Sequence, residues 1–366
     1  MKFAIFLQHY FPFGGLQRDA LRLAETAQAA GYSPTLMVST WDGAKPATIP
    51  VIELQTGGLT NHGKAQRFTQ ACQKQLADFD TSIGFHRVPG APFHFCGDAC
   101  LAERFIRSGK SPLAKFLPRY RSQLHNERAV FGTDAHTHIL FLAKKEIEDY
   151  QHHYQLNGTR FTLLPPWLRK PDTFAETRDA VRTRLLQEIG VRDTDKVLLF
   201  VGSNYRLKRL DRIIDALSLI DESIHLAVCG TDAFAPIQRQ AEALNVSARV
   251  HALGARTDLP AWMLAADLLV HPSKRETAGM VLTEALSYGL PVTCTTCCGY
   301  APHVAEAGGT LLSEACPPEE LAETMHQMLS NLTHLRAQAL QWSANPELYR
   351  TADIILAKMR QDADRP

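Results

Sequence analysis

The chain has 366 residues, 45% of them hydrophobic and 21% charged, with 39 basic side chains against 38 acidic ones. That length and apolar content support one or two domains with full cores. A net charge of +1 and the lack of a recognised binding motif speak against a nucleic-acid partner, and no apolar stretch reaches the length of a bilayer span.

The first segment, Met1-Lys-Phe-Ala-Ile-Phe-Leu7, runs into Gln8-His9-Tyr10 without a small-residue cleavage site, so it reads as a strand (Phe3–Leu7) rather than an export signal. The eight cysteines follow no regular framework, and free thiols in a reducing cytosol are expected. After the strand comes Phe11-Pro12-Phe13-Gly14-Gly15-Leu16-Gln17-Arg18-Asp19. Glycines let backbone approach a ligand closely, and the positive end of the following helix faces the same loop, so Gly14 and Gly15 suit a diphosphate. A Gly-x-Gly-x-x-Gly motif is absent, which disfavours a nicotinamide enzyme.

The expected elements continue as a helix over Leu16–Ala30, strands at Pro34–Val38 and Val51–Leu54, a helix over Lys64–Leu76 and a strand at Ser82–Phe85. Asp98, in Cys96-Gly97-Asp98-Ala99-Cys100, follows a further expected strand; it is either an acid of the site or the cap of a helix starting near Leu101. Residues 101–131 interleave Arg104, Arg107, Lys110, Lys115, Arg119, Arg121 and Arg128 with large apolar side chains. Such a basic amphipathic segment suits an anionic membrane surface, the alternative being a solvated helix pair. Strands at His138–Leu142 and Phe161–Leu164 flank a helix over Lys145–Tyr154, and Pro165-Pro166-Trp167 with Lys170-Pro171 marks a linker. Up to residue 167 the chain holds 18 Lys and Arg against 13 Asp and Glu; beyond it the count is 21 against 25. The basic half should face something anionic.

The second half restarts the alternation. Strands are expected at Val197–Val201, Ile224–Cys229, Arg249–Ala252, Leu268–His271, Val292–Thr295 and Thr310–Leu312. Helices are expected at Asp179–Ile189, Leu210–Leu219, Ala235–Leu244, Leu259–Ala265, Val281–Tyr288, Pro318–Leu329 and Leu348–Met359. This is the pattern of an α/β protein with two doubly wound parallel sheets, which bind ligands at the carboxyl ends of their strands. Asp193-Thr-Asp195 spells a metal motif, but it lies in a polar turn before a strand, and no metal site is expected.

Three segments of this half carry candidate chemistry. In Val201-Gly-Ser-Asn-Tyr-Arg206-Leu-Lys208-Arg209, Lys208 stands just before a helix, where a cation can meet a leaving diphosphate. In Leu253-Gly-Ala-Arg256-Thr-Asp258, Arg256 and Asp258 either touch a base or ribose or cap the next helix. In His271-Pro-Ser-Lys-Arg-Glu276-Thr277-Ala278-Gly279-Met280-Val281-Leu-Thr-Glu284, one carboxylate ends a loop and the other lies in the following helix. The amides of residues 277–281 between them form an anion site at a helix N-terminus. An anion site with an acid on either side has the shape of a nucleotide sugar.

The Glu276-x7-Glu284 spacing with Pro272-Ser273, Gly279 and Ala285 in register resembles the family 4 retaining glycosyltransferases. The resemblance implies the GT-B fold. It gives an N-terminal acceptor domain over 1–167, a nucleotide-sugar domain over 168–344, a donor cleft between them, and a C-terminal helix over 345–366 crossing back to the first domain. It also implies that Glu276 binds the donor's sugar hydroxyls and Glu284 its ribose, and that Lys208, with Arg206 or Arg209, meets the diphosphate beside Gly14 and Gly15. Arg256 is expected near the nucleobase, and Asp19 and Asp98 on the acceptor side. Departures are plain as well: Leu207 precedes Lys208 and Arg209 follows it, where the family places another basic or acidic residue and a glycine.

Tyr10 to Asp19, Thr60-Asn-His-Gly63, Arg119-Tyr-Arg121, Asn126-Glu-Arg128 and Cys298-Gly-Tyr-Ala301 are similar, in order, to the glucosyltransferases that act on the heptose of the lipopolysaccharide inner core. That narrower resemblance implies transfer of glucose from UDP-glucose, without a cofactor or metal, to a lipid-linked saccharide. It places the protein in the cytoplasm, on the anionic inner face of the cytoplasmic membrane. Two other classes stay open on the sequence: a sugar-nucleotide epimerase and a non-catalytic sugar-nucleotide sensor.

Overall fold

A computed structural model describes residues 1–366 apart from Phe13, Leu59, Lys110, Pro112, Ala114, Lys115, Asp172, Thr173, Arg365 and Pro366. The chain divides into two compact units, one formed by Met1–Trp167 with the chain from Arg350 onward, the other by Leu168–Tyr349. The first boundary falls inside the proline-rich stretch.

The first unit runs β1 (Lys2–Tyr10), α1 (Gly15–Ala29), β2 (Ser33–Trp41), β3 (Val51–Glu53), α2 (Asn61–Gln75), β4 (Thr81–Gly84), β5 (Phe93–Cys96), α3 (Leu101–Arg107), α4 (Pro118–Phe131), β6 (His138–Phe141), α5 (Lys144–Tyr154) and β7 (Phe161–Leu163). Its sheet has the order β3-β2-β1-β4-β5-β6-β7, and every pairing is parallel. A parallel strand is covered on both faces, which is why Phe3 to Leu7 form an unbroken apolar run and are all buried. Helix α1 presents Ala20, Leu23, Ala24 and Ala27 to the sheet at helical spacing. Thr60 caps α2 by accepting from the Gly63 amide at 3.3 Å.

The second unit runs α6 (Arg178–Glu188), β8 (Lys196–Val201), α7 (Tyr205–Lys208), α8 (Leu210–Leu217), β9 (Ile224–Cys229), α9 (Ala235–Ala243), β10 (Val250–Gly254), α10 (Leu259–Ala265), β11 (Leu268–His271), α11 (Met280–Ser287), β12 (Val292–Thr295), α12 (Ala301–Glu306), β13 (Thr310–Leu312), α13 (Pro318–Ser330) and α14 (Leu332–Ser343). Its parallel sheet is ordered β10-β9-β8-β11-β12-β13. The order reverses beside β8, so the loops leaving β8 and β11 part on opposite faces and open a crevice at their carboxyl ends. Asp193 and Asp195 sit in the turn before β8, where Asp195 pairs with Arg192 at 2.9 Å.

The last helix, α15 (Thr351–Ala363), belongs to the first unit. Thr351 donates to the Pro165 carbonyl at 3.0 Å, and Thr81 donates to Asp362 at 3.0 Å, so both ends of the helix are tied to that unit.

Helices α7, α12 and α14 are absent from the sequence-based expectation, and the strand expected before Asp98 is β5. β5 is only four residues long and carries a buried His94. All eight cysteines are buried free thiols. No helix among the described residues is long and apolar enough to cross a membrane.

Candidate functional site

The crevice of the second unit is lined by the loop after β8 and the loop after β11. Gly202, at φ +153°, turns the chain out of β8, and the Lys208 stem packs over it: a Cβ there would lie 3.5 Å from Lys208 Cγ. Asn204 accepts from the Leu207 amide at 3.2 Å and starts the short α7 that ends on Lys208. The neighbouring loop is bonded to this one. The Leu207 carbonyl accepts from the Lys274 amide at 2.9 Å and from the Ser273 hydroxyl at 3.4 Å. Ser273 is held in turn from the end of β12 and the turn after it, where the Thr295 hydroxyl and the Cys297 thiol donate to its carbonyl at 2.5 and 3.0 Å.

That bracing brings Lys208 onto Glu276. The ammonium contacts Glu276 Oε2, and His271 Nε2 lies 3.3 Å from the same oxygen. Among the described residues Oε1 has no protein partner. Burial lowers the Lys208 pKa. The Glu276 carboxylate in contact favours the ammonium form, and the two groups make an ion pair. An ammonium has three donors, and two remain for a second anion.

Gly279, at φ +90°, closes the loop and starts α11. The amides of Thr277, Ala278, Gly279, Met280 and Val281 have no protein acceptor among the described residues, as the first turn of a helix dictates. On α11 the core takes Leu282, Thr283, Ala285 and Leu286, leaving Met280, Val281 and Glu284 half-exposed on one face. Glu284 stands one helical turn beyond Met280 and Val281 on that face, next to the turn whose amides are open. Lys208, Glu276, residues 277–281 and Glu284 thus form one polar rim with an anion site at its centre.

The arginines divide. Arg206 is exposed and has no ion pair among the described residues. Arg209, held in the left-handed region at φ +56°, is engaged by its own neighbour Asp211 at 3.1 Å. Arg206 is therefore the available second cation. Arg256 is gripped by Asp258 at 2.7 Å and by Glu188 at 2.7 Å, and lies over the Trp262 ring. Asp258 spends its carboxylate on that pair and makes no side-chain cap for α10.

In the first unit Gly14 caps α1 and Gly15 opens it. A Cβ on Gly14 would collide with Gln17 Oε1, whereas one on Gly15 would meet nothing within 4 Å. Asp19 is buried in the second turn, 3.7 Å from Arg22. The Gly97–Asp98 loop abuts the same helix start, since a Cβ on Gly97 would lie 2.5 Å from Leu16 Cδ1. Asp98 is exposed and does not cap α3. The amides of Leu101 and Ala102 donate instead to Glu127, at 2.8 and 3.0 Å, and the Cys100 amide donates to Glu146 at 3.3 Å.

Residues 181–343 match the family of glycosyl transferases group 1. Over 368 residues, 99% of this chain and 97% of the relative, the sequence is 35% identical to the lipopolysaccharide glucosyltransferase WaaG of Escherichia coli strain K12. The chain belongs to the group 1 glycosyltransferases. A crystal structure of WaaG, a glycosyltransferase involved in lipopolysaccharide biosynthesis, is similar with a TM-score of 0.89 at 35% identity, covering 98% of this chain and 99% of that one. HepE of Anabaena in complex with UDP-glucose gives a TM-score of 0.76 at 17% identity, covering 99% and 98%, and at that identity the likeness concerns the fold alone. This glycosyltransferase has the expected GT-B class of two Rossmann-like halves, and the epimerase and sensor alternatives fall away.

The basic segment of the glycosyltransferase comprises α3 and α4, with residues 108–117 between them. Arg104, Arg107, Arg119, Arg121 and Arg128 are all exposed, as are Ile106, Leu113, Phe116 and Leu117, with Phe116 76% exposed. Arg107 is neutralised by Glu103 at 2.5 Å and Asp149 at 3.2 Å. Lys110 and Lys115 lie outside the described residues.

Three residues of consequence escape a sequence reading. His271 reads as the end of an apolar strand, yet its ring is fully buried against Glu276. Thr295 lies in the next strand. Glu127 sits amid surface arginines in sequence but is completely buried. Besides its two α3 amides it takes Arg87 at 2.9 Å and the Tyr154 hydroxyl at 2.7 Å. The only trace of it in the sequence is an acid in an otherwise basic segment.

Proposed function

We propose that this glycosyltransferase moves glucose from UDP-glucose, with retention at the anomeric carbon, onto a lipid-linked saccharide of the lipopolysaccharide core. The observation that carries the reading is Glu276: a charged carboxylate tied to Lys208 and His271 through one oxygen, with the other open beside an unoccupied row of helix-start amides. Oε1 accepts from donor sugar hydroxyls, and Glu284 accepts from the ribose. The negative charge that grows on the departing diphosphate is met by Lys208, by Arg206 and by the amides of residues 277–281, all aimed in advance of the reaction. The reading assigns that work to the chain's own cations and amides rather than to a metal ion or other cofactor. Asp19 and Asp98, on the Gly14–Gly15 side of the first unit, are the acids assigned to the acceptor. The full-length similarity to a protein named for glucosyl transfer to lipopolysaccharide supports both substrates.

The same reading places the protein in the cytoplasm on the inner face of the cytoplasmic membrane. Exposed Ile106 on α3 and exposed Leu113, Phe116 and Leu117 ahead of α4, in one segment with exposed Arg104, Arg119, Arg121 and Arg128, have the composition of a surface that inserts shallowly among anionic headgroups.

Calorimetric titration with UDP-glucose, UDP-N-acetylglucosamine, UDP-galactose and GDP-mannose tests the donor assignment on the parent and on Glu276→Ala. The expected result is selective binding of UDP-glucose that the variant loses. Binding that is equal for all four donors, or unaffected by the substitution, overturns it.

A further inference from the structure

We infer that His271 is a positioning residue for Glu276: as a neutral imidazole it donates its Nε2–H to Oε2 and so keeps Oε1 turned toward the donor sugar. The inference rests on the reading of Glu276 as the acceptor for sugar hydroxyls.

The geometry leaves the imidazole little choice. His271 is the last residue of β11, 1% exposed, with its ring stacked on Phe200 at 6.5 Å between centroids. Its polar neighbour is Glu276 Oε2 at 3.3 Å. A carboxylate can only accept, so the nitrogen facing it carries the proton and Nδ1 is left with a bare lone pair. Among the described residues Nδ1 indeed has no partner, and it is buried. Burial and the nearby Lys208 charge push the His271 pKa down to about 3, which keeps the ring neutral through the physiological range.

Two donors therefore converge on one oxygen from different directions. Lys208 supplies charge on a long, rotatable stem, which attracts the carboxylate without setting its plane. The imidazole is flat, rigid and fixed by the β11 backbone and the Phe200 face, so it sets the direction from which Oε2 is held. With Oε2 held twice, the carboxylate is restrained and Oε1, which has no protein partner among the described residues, is left for the donor. The orphaned Nδ1 argues against a packing role, because an unpaired buried nitrogen costs stability that an apolar side chain of similar size would not.

The experiment uses the full chain with His271→Leu, which removes the donor, and His271→Gln, whose amide returns an N–H. Glu276→Ala is the reference. UDP-glucose and UDP are titrated into each, and thermal unfolding is recorded. His271→Leu should weaken UDP-glucose at least about tenfold, the effect of one hydrogen bond to a charged group. UDP, which lacks the sugar, should bind it as it binds the parent, and Tm should stay level or rise. His271→Gln should recover most of the lost affinity. Parent-like UDP-glucose binding by His271→Leu, equal losses in the Leu and Gln variants, or a parallel loss of UDP affinity overturns the inference. If Glu276→Ala itself keeps UDP-glucose affinity, the sugar reading of Glu276 fails and the inference falls with it. If Glu276→Ala loses affinity and His271→Leu does not, only the positioning role is wrong.

Discussion

Gly279→Ala tests how the turn between the two glutamates places the first of them. At φ +90° an L-residue pays the left-handed penalty, about 1–2 kcal/mol. The new Cβ would also stand 2.9 Å from Leu282 Cδ1 and 3.2 Å from Glu276 Cγ. Leu282 is fully buried and cannot move aside, so crowding adds the cost of overpacking, about 1–3 kcal/mol. The sum is a destabilisation of roughly 2–5 kcal/mol, with Glu276 pushed off its Lys208 and His271 partners. Gly254 supplies the control. It too has positive φ, +67°, but a Cβ there meets nothing within 4 Å, so Gly254→Ala should lose only the backbone penalty of about 1–2 kcal/mol. Guanidinium unfolding of both variants, with UDP-glucose titration of each, separates the two costs. Equal losses of stability would refute the crowding argument. A Gly279→Ala protein that is destabilised yet binds UDP-glucose like the parent would show that Gly279 does not position Glu276.

Other expectations follow from the same structure. Glu127→Gln removes the counter-charge of partly buried Arg87 and one acceptor of the α3 amides, so stability should fall by about 3–5 kcal/mol and amide exchange in α3 should quicken; a loss under about 1 kcal/mol would contradict the burial of Glu127. His94 and His271 are pushed by burial to about 3 and His86 to about 4, whereas the unfolded chain protonates them near their ordinary value. Each folded group thus binds fewer protons, and each should subtract about 1 kcal/mol of stability per pH unit as pH falls below about 6.5. Glu146, raised to about 7 by burial, acts in the opposite sense and offsets one of the three between pH 7 and its unfolded range; denaturation midpoints that stay level across this window would refute the net sign. For vesicles of anionic lipid, neutralising Arg119, Arg121 and Arg128 together should reduce co-sedimentation in a salt-sensitive way, while Arg107→Gln should not, because Glu103 and Asp149 already neutralise Arg107. Equal behaviour of the two variants would count against docking through this surface.

Much of this architecture was legible in the chain itself, because it depends on short-range rules. Short unbroken apolar runs alternating with helical spacing specify parallel strands and crossover helices, and a proline cluster interrupts them, so two Rossmann-like halves follow from local pattern alone. The Glu276-x7-Glu284 signature is local as well: one loop, one glycine turn and one helix hold both acids. What pairs with those acids is not local. Lys208 meets Glu276 only because the strand order sets β8 beside β11, and Arg206 rather than Arg209 stays available because Asp211 claims its neighbour. Glu127 has the spacing of a surface acid and becomes a buried hub only when α4 folds under α3, and His271 looks like any strand-end residue until burial strips its charge and leaves it facing a carboxylate. Backbone periodicity is written residue by residue, whereas the partner and solvation of a charged group depend on which distant segments the topology brings within a few ångströms, and that was decided only in the tertiary structure.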